Sequence, residues 1–121
     1  MLRFEELTKS YCTAHNQVHA LKSVQGHIEK GTTVALCGPS GSGKSTLLNI
    51  CGLLDPQYQG KIYLDNELVP HNKKALTQLR REKIGFIFHS FKLFNFFGNS
   101  SASWRIIIIL CIKGLFIMLF S

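Results

Sequence analysis

A phosphate-binding motif is the part of this sequence whose residue types and spacing most clearly predict chemistry. The stretch CGPSGSGKSTLL, residues 37–48, places Gly38, Gly43, Lys44 and Ser45 in the spacing G-x-x-x-x-G-K-[ST]. Glycines let backbone N–H groups approach phosphates, and a helix N-terminus adds a favourable dipole. The motif predicts that Lys44 contacts the β- and γ-phosphates of a nucleotide and that the Ser45 hydroxyl binds Mg²⁺. A glycine-rich surface turn without a ligand is the alternative.

The motif needs a strand before it and a helix after it, and the flanking sequence predicts both. Residues 32–37, TTVALC, are a short β-branched and apolar run, which is typical of a buried parallel strand. After the glycines, Leu47, Cys51 and Leu54 recur at helical spacing, which predicts a helix packed on one side. This helix should end just before Pro56, because proline cannot continue it.

The stretch IYLDNE, residues 62–67, has two interpretations. An apolar strand that ends in a carboxylate is the pattern that binds Mg²⁺ opposite a phosphate loop. The apolar run is short, however, and Asp65-Asn66 is favourable turn chemistry, so we predict a hairpin. Beyond it, we expect a short helix over residues 75–83 and a strand over residues 84–88.

Composition limits the class of protein. The chain has 121 residues and a net charge of +7, which fits one globular domain with a basic surface. Anionic lipid, nucleic acid or a phosphate ligand would all suit that charge. The four cysteines form no CxxC pair and the five histidines show no HExxH spacing, so a zinc site is not expected. The first residues have no apolar segment typical of a signal peptide.

The sequence resembles the ATP-binding subunits of ABC transporters, and most closely the lipoprotein-release, macrolide-export and cell-division group. The resemblance extends from Leu7 to Leu93 and is carried by LTKSY, VHALKSV, IEKG, VALCGPSGSGKSTLLNI, GLLD, LTQLRREKIGFIF and SFKL. It implies an α/β fold, namely part of a RecA-like P-loop NTPase core with an N-terminal antiparallel β portion. In that family, the ATP site closes when two subunits meet head to tail.

The resemblance also implies roles for individual residues. Tyr11 stands near the aromatic residue that stacks on adenine in the family, although an ordinary strand-edge tyrosine is the alternative. Thr46 is similar to the residue that touches the α-phosphate. His89 takes the place of a glutamine that contacts Mg²⁺ and the attacking water, and histidine can itself ligate a metal. Ser45 and His89 are thus the candidate Mg²⁺ ligands. The ATP-binding set is Tyr11, Gly38, Pro39, Ser40, Gly41, Ser42, Gly43, Lys44, Ser45 and Thr46.

Other features of the family are absent from the sequence. Nothing resembles the LSGGQ signature, the metal-binding aspartate, the catalytic glutamate or the switch histidine, and no Asp or Glu follows Glu82. Metal-assisted hydrolysis needs a ligand for Mg²⁺ and a group that orients water at the γ-phosphate. We therefore predict a truncated ATP-binding subunit with no catalytic residue of its own, which is not expected to hydrolyse ATP alone.

The C-terminal residues predict a second segment. Residues 1–93 form the N-terminal part of the ATP-binding domain, and residues 94–121 are a divergent apolar tail. Ile106–Phe120 is apolar but is interrupted by Lys113 and Gly114, and a membrane-spanning helix needs about 20 apolar residues. A core helix without its partner, a degenerate end and a membrane segment remain open, and a helix is favoured. We expect a chain without the tail to be more soluble and to bind ATP no worse.

Three functions are compatible with these patterns. The first is an ATP-binding module that pairs with a transmembrane permease subunit and with a second ATP-binding subunit. The second is a non-functional gene remnant, and the third is a small interaction protein that docks on a transporter subunit. The first implies a cytoplasmic protein, with a peripheral position at the inner face of the cell membrane as its alternative, and no nucleic-acid partner.

Overall fold

Two four-stranded sheets and two helices make up the fold. The computed structural model describes residues 1–88, 106–110 and 116–120. Within them, the elements in chain order are β1 (Leu2–Cys12), β2 (Gln17–Ile28), β3 (Thr33–Leu36), α1 (Lys44–Cys51), β4 (Gln59–Leu64), β5 (Glu67–Leu68), α2 (Lys73–Lys83), β6 (Ile84–Phe88), β7 (Ile106–Leu110) and β8 (Phe116–Phe120).

The first sheet is antiparallel, with the strand order β2-β1-β4-β5. Leu2 and Phe4 of β1 are buried, and a bulge at Glu6 (φ 51°) shifts the alternation so that Leu7 and Lys9 are buried next. Gly60 of β4 lies against this bulge and has a φ of 103°. A Cβ at this position would lie 2.6 Å from the carbonyl oxygens of both Glu5 and Glu6. Glycine is therefore required here. The resulting sheet is the predicted antiparallel β portion.

The β4–β5 connection confirms the predicted hairpin. Asp65 and Asn66 both have positive φ, 52° and 68°, as a two-residue hairpin turn requires. The Asp65 carboxylate pairs with the N-terminal ammonium of Met1 at 3.1 Å. This carboxylate therefore stabilises the turn and the chain start, which supports the hairpin interpretation over a metal-ligand one.

The second sheet has the order β3-β8-β7-β6. β6 and β7 are parallel, whereas β8 runs antiparallel to both β7 and β3, so β3, β6 and β7 point the same way. The predicted parallel pairing of β3 is thus wrong within the described residues, because the neighbour of β3 is β8. The expected helix in the tail is also wrong for residues 106–110 and 116–120. Four consecutive isoleucines begin β7, and β-branched side chains favour a strand.

Helix α1 ends at Cys51, earlier than the predicted stop before Pro56. The chain turns at Leu53, whose φ is 58°, and the Arg80 guanidinium of α2 donates to the Leu53 carbonyl at 2.8 Å. Leu54 consequently lies 42% exposed and not on the buried face. The contact from α2 fixes the turn, and it could not be inferred from the local sequence.

One hydrophobic core joins the elements around the phosphate loop. It includes side chains from β1, β2, α1, β4, α2 and β6. In α1, Leu48, Ile50 and Cys51 are buried. The helix that follows the glycine loop therefore contributes to the same core as the first sheet and α2.

Candidate phosphate-binding site

The predicted phosphate loop occupies residues 37–43, between the end of β3 and the start of α1. Gly43 is the N-cap of α1 and makes no side-chain capping bond, and the first turn of the helix has no acidic residue. The first N–H groups of a helix have no partner within the helix. Together with the helix dipole, they make this end of α1 suited to an anion.

Lys44 is a buried cation inside this loop. Only 8% of the residue is exposed, and its ammonium donates to the carbonyl oxygens of Gly38 and Pro39 at 2.7 and 2.6 Å and to the Ser42 hydroxyl at 3.2 Å. All three donors of an ammonium can be used in this way. The loop therefore curls around a positive charge, and the predicted contact of Lys44 with phosphates stays a prediction.

The glycines at positions 41 and 43 allow this curl. Gly41 has φ 79° and Gly43 has φ 91°, a backbone region that other residues avoid. Their surroundings differ: a Cβ on Gly43 would lie 2.4 Å from the Ala20 carbonyl oxygen of β2, whereas a Cβ on Gly41 would meet nothing within 4 Å. The start of α1 thus packs directly on the backbone of the first sheet.

Gly43→Ala is expected to lower the melting temperature of the chain by roughly 10 °C or more. The added methyl group combines backbone strain with a clash against backbone that cannot move aside, a loss of about 2–3 kcal/mol. Gly41→Ala is the matched control, because it has the same strain without a clash and should cost about 1 kcal/mol. Thermal unfolding followed by circular dichroism measures both, and equal melting temperatures would contradict the packing against Ala20.

Tyr11 lies at the end of β1, next to the first turn of α1. Its hydroxyl is 3.5 Å from the Thr46 hydroxyl, and the residue is 42% exposed. Ser45 is exposed on the same turn. The structure thus brings Tyr11, Thr46 and Lys44 together around the N-terminus of α1, while His89 lies outside the described residues.

Metal binding by side chains alone has no support in this part of the chain. Among the described residues, no three histidine, cysteine or carboxylate side chains are grouped so that they could hold a metal ion. Mg²⁺ in nucleotide sites is commonly held by phosphate oxygens, water and one or two protein oxygens. The exposed Ser45 hydroxyl at the helix N-terminus fits that requirement.

Lys9 lies beside the candidate residue Tyr11 and was not singled out from the sequence. Its ammonium lies 5.1 Å from the centroid of the Tyr11 ring and pairs with the Asp55 carboxylate at 2.9 Å. The signal in the sequence was the spacing in LTKSY, since Leu7, Lys9 and Tyr11 alternate along one face of a strand. A lysine inside that alternation is unusual because its charge must be paired when buried.

The cysteine of α1 is a packing residue. Complete burial raises the pKa of the Cys51 thiol to about 12, so the thiol is uncharged at neutral pH. Burial also raises the pKa of the Tyr58 hydroxyl, and the electrostatic effect of Cys51 raises it further. Neither group offers a nucleophile near the loop at neutral pH.

Comparison with known proteins identifies the family. The family described as ABC transporter matches residues 21–106, which is most of the chain, and the chain belongs to this family. It is 44% identical over 94 residues to the ABC transporter ATP-binding protein MJ0796 of Methanocaldococcus jannaschii, covering 77% of this chain and 40% of the relative. It is 43% identical over 94 residues to the macrolide export ATP-binding/permease protein MacB of Campylobacter fetus, covering 77% of this chain and 15% of that protein.

Solved structures agree with the fold. The ATP-binding cassette MJ0796, in a dimeric post-hydrolysis state bound to ADP and Pi, matches with a TM-score of 0.70 and 42% identity, over 79% of this chain and 42% of that one. The chain is thus a partial α/β P-loop NTPase core of the ABC ATPase type, and it spans less than half the length of these relatives. Within the described residues, no helix is both long and apolar enough to cross a membrane.

Proposed function

We propose that this chain binds ATP together with Mg²⁺, as the N-terminal part of the nucleotide-binding subunit of an ABC transporter. The observation that carries the proposal is the Lys44 ammonium, which is buried at the centre of a glycine loop at a helix N-terminus. A buried lysine at a helix N-terminus, where the first backbone N–H groups have no partner within the helix, provides the positive charge and the donors that hold a polyanion.

Each residue around the loop then has a chemical role. Backbone N–H groups of residues 40–45 surround the phosphates, and Lys44 neutralises the β- and γ-phosphates. The Ser45 hydroxyl contacts Mg²⁺, and Thr46 contacts the α-phosphate. Tyr11 offers its exposed ring to adenine, and His89 is a further candidate ligand of the metal. The likeness to a cassette bound to ADP and Pi, at 42% identity, supports these assignments.

The partners are proposed by analogy with the relatives. The MacB relative is named an ATP-binding/permease protein, and the MJ0796 cassette was solved as a dimer. We propose by analogy that this chain acts with a transmembrane permease and with a second ATP-binding subunit, on the cytoplasmic face of the membrane. A second subunit would also supply the signature motif that this sequence lacks.

The purified chain is expected to bind Mg-ATP and not to hydrolyse it. The loop supplies phosphate binding, but no Asp or Glu follows Glu82 to hold Mg²⁺ or to orient the attacking water. Isothermal titration calorimetry with Mg-ATP measures binding, and a colorimetric phosphate assay measures turnover. Absence of binding heat across several temperatures would contradict the proposed function, whereas phosphate release that disappears in Lys44→Ala would show that another group of the chain completes the catalytic site.

A further inference from the structure

Lys9 is held in a buried network between β1 and the segment that follows α1. The residue is 7% exposed, and its ammonium pairs with the Asp55 carboxylate at 2.9 Å and donates to the Gln57 carbonyl at 2.5 Å. Removing an ammonium from water is costly unless ion pairs and hydrogen bonds replace the water. These two contacts satisfy the charge. Through them, Lys9 connects strand β1 to the segment that follows α1.

The same ammonium contacts the face of the Tyr11 ring. It lies 5.1 Å from the ring centroid, within the range of a cation–π interaction. The Tyr11 hydroxyl is 3.5 Å from the Thr46 hydroxyl in the first turn of α1. The ring therefore contacts Lys9 at one face and α1 at its hydroxyl, and 42% of the residue is still exposed.

These contacts connect the ring to both ends of α1. Thr46 lies in the first turn, beside the phosphate loop, and Asp55 follows the last turn. Because α1 begins at Lys44, these two contacts both relate the position of the Tyr11 ring to the phosphate loop. A ring fixed at a set distance from a phosphate site can discriminate a nucleotide from a bare polyphosphate.

We propose that Lys9 is a positioning residue, which holds the Tyr11 ring in the orientation that stacks on the nucleobase. The proposal rests on the proposed ATP-binding function. Lys9 acts through Tyr11 and does not itself reach the phosphates, so its loss should affect the affinity for the nucleoside part of the ligand and leave the affinity for a polyphosphate unchanged.

The test compares two probes, Mg-ATP and Mg-tripolyphosphate, titrated into the full chain. Lys9→Met is expected to weaken ATP binding about fivefold, the size of a partly desolvated cation–π contact, and to change tripolyphosphate binding less than twofold. Lys9→Arg keeps a cation over the ring and should retain most of the ATP affinity. The ratio of the two affinities is the readout, because general loosening of the fold would lower both.

Double substitution identifies the route through the ring. Tyr11→Ala alone should weaken ATP binding about tenfold, since a stacked base contributes on the order of 1–3 kcal/mol. If Lys9 acts through the ring, adding Lys9→Met to Tyr11→Ala should weaken ATP binding no further. Additive losses would overturn the proposal.

A matched control and a second variant separate folding from positioning. Arg3 lies in the same strand and makes the same kind of contact with Tyr63, at 4.3 Å, so Arg3→Met should leave both affinities unchanged. Asp55→Asn removes the charge that pairs with Lys9 while keeping the side-chain shape, and should lower the ATP-to-tripolyphosphate affinity ratio about twofold to threefold. If the Lys9→Met protein does not fold, the affinity ratio of the Asp55→Asn protein tests the proposal instead.

The outcomes distinguish this proposal from the function on which it rests. If the wild-type chain binds neither probe, the ATP-binding function fails and the proposal fails with it. If the wild-type chain binds both, and Lys9→Met or Asp55→Asn changes both affinities equally or changes neither, only the role of Lys9 is overturned.

Discussion

Replacing Lys44 with alanine is expected to weaken the binding of Mg-ATP by at least about 100-fold. The ammonium would make charge-assisted hydrogen bonds to two phosphates, each contributing on the order of 1.5–3 kcal/mol, and a 100-fold loss corresponds to about 2.7 kcal/mol. The fold should survive, because the acceptors that Lys44 leaves behind belong to Gly38, Pro39 and Ser42, and all three residues are exposed to water. Calorimetric titration of both proteins measures the difference.

The control for this experiment is Lys30→Ala. Lys30 is exposed and lies before β3, at the end of the strand away from the phosphate loop. The Lys30→Ala substitution removes the same charge from the chain without touching the loop. ATP affinity should therefore change by no more than about twofold, which is the effect expected of one distant screened charge. Equal affinities of wild-type and Lys44→Ala proteins would refute the assignment of the phosphate loop.

Ending the chain at Leu93 is expected to abolish cooperative unfolding and ATP binding. The shortened chain lacks β7 and β8, which pair with β6 and β3 along five and four residues. Both remaining strands would then carry unpaired edges, and β3 leads directly into the phosphate loop. Loss of a sheet of this kind exceeds the few kcal/mol that stabilise a small domain. This expectation reverses the one drawn from the tail's composition.

Two variants separate strand pairing from the mere loss of apolar residues. Ile108 is central in β7, opposite Phe86 and Met118, so Ile108→Pro removes an N–H from a strand that is paired on both sides. It should lower the melting temperature strongly, whereas removal of Ser121 alone, beyond the end of β8, should have no effect. A chain ending at Leu93 that stays soluble, melts like the full chain and binds ATP equally would show that the tail is dispensable.

Local chemistry determined the parts of the fold that depend on neighbouring residues. The phosphate loop followed from glycine positions and a lysine, because the required φ angles and charge reside in those residues themselves. The β4–β5 hairpin followed from Asp65-Asn66, whose side chains tolerate positive φ. The strand at residues 84–88 and the helix over residues 75–83 were also predicted from their local sequence patterns, and both are present. The match to residues 21–106 confirms the family resemblance.

Tertiary contacts decided what depends on partners distant in sequence. The pairing of β3 with β8 joins residues at least 80 positions apart, and strand direction cannot be inferred from an apolar run alone. Arg80 of α2 fixes the turn that ends α1 early. The burial of Lys9 depends on Asp55 and Gln57 together with the bulge in β1, so its charge could be placed only once the chain was folded. The sequence by itself determined the glycine loop and its lysine, and the tertiary structure decided which strands support the loop and which side chains lie beside the ring of Tyr11.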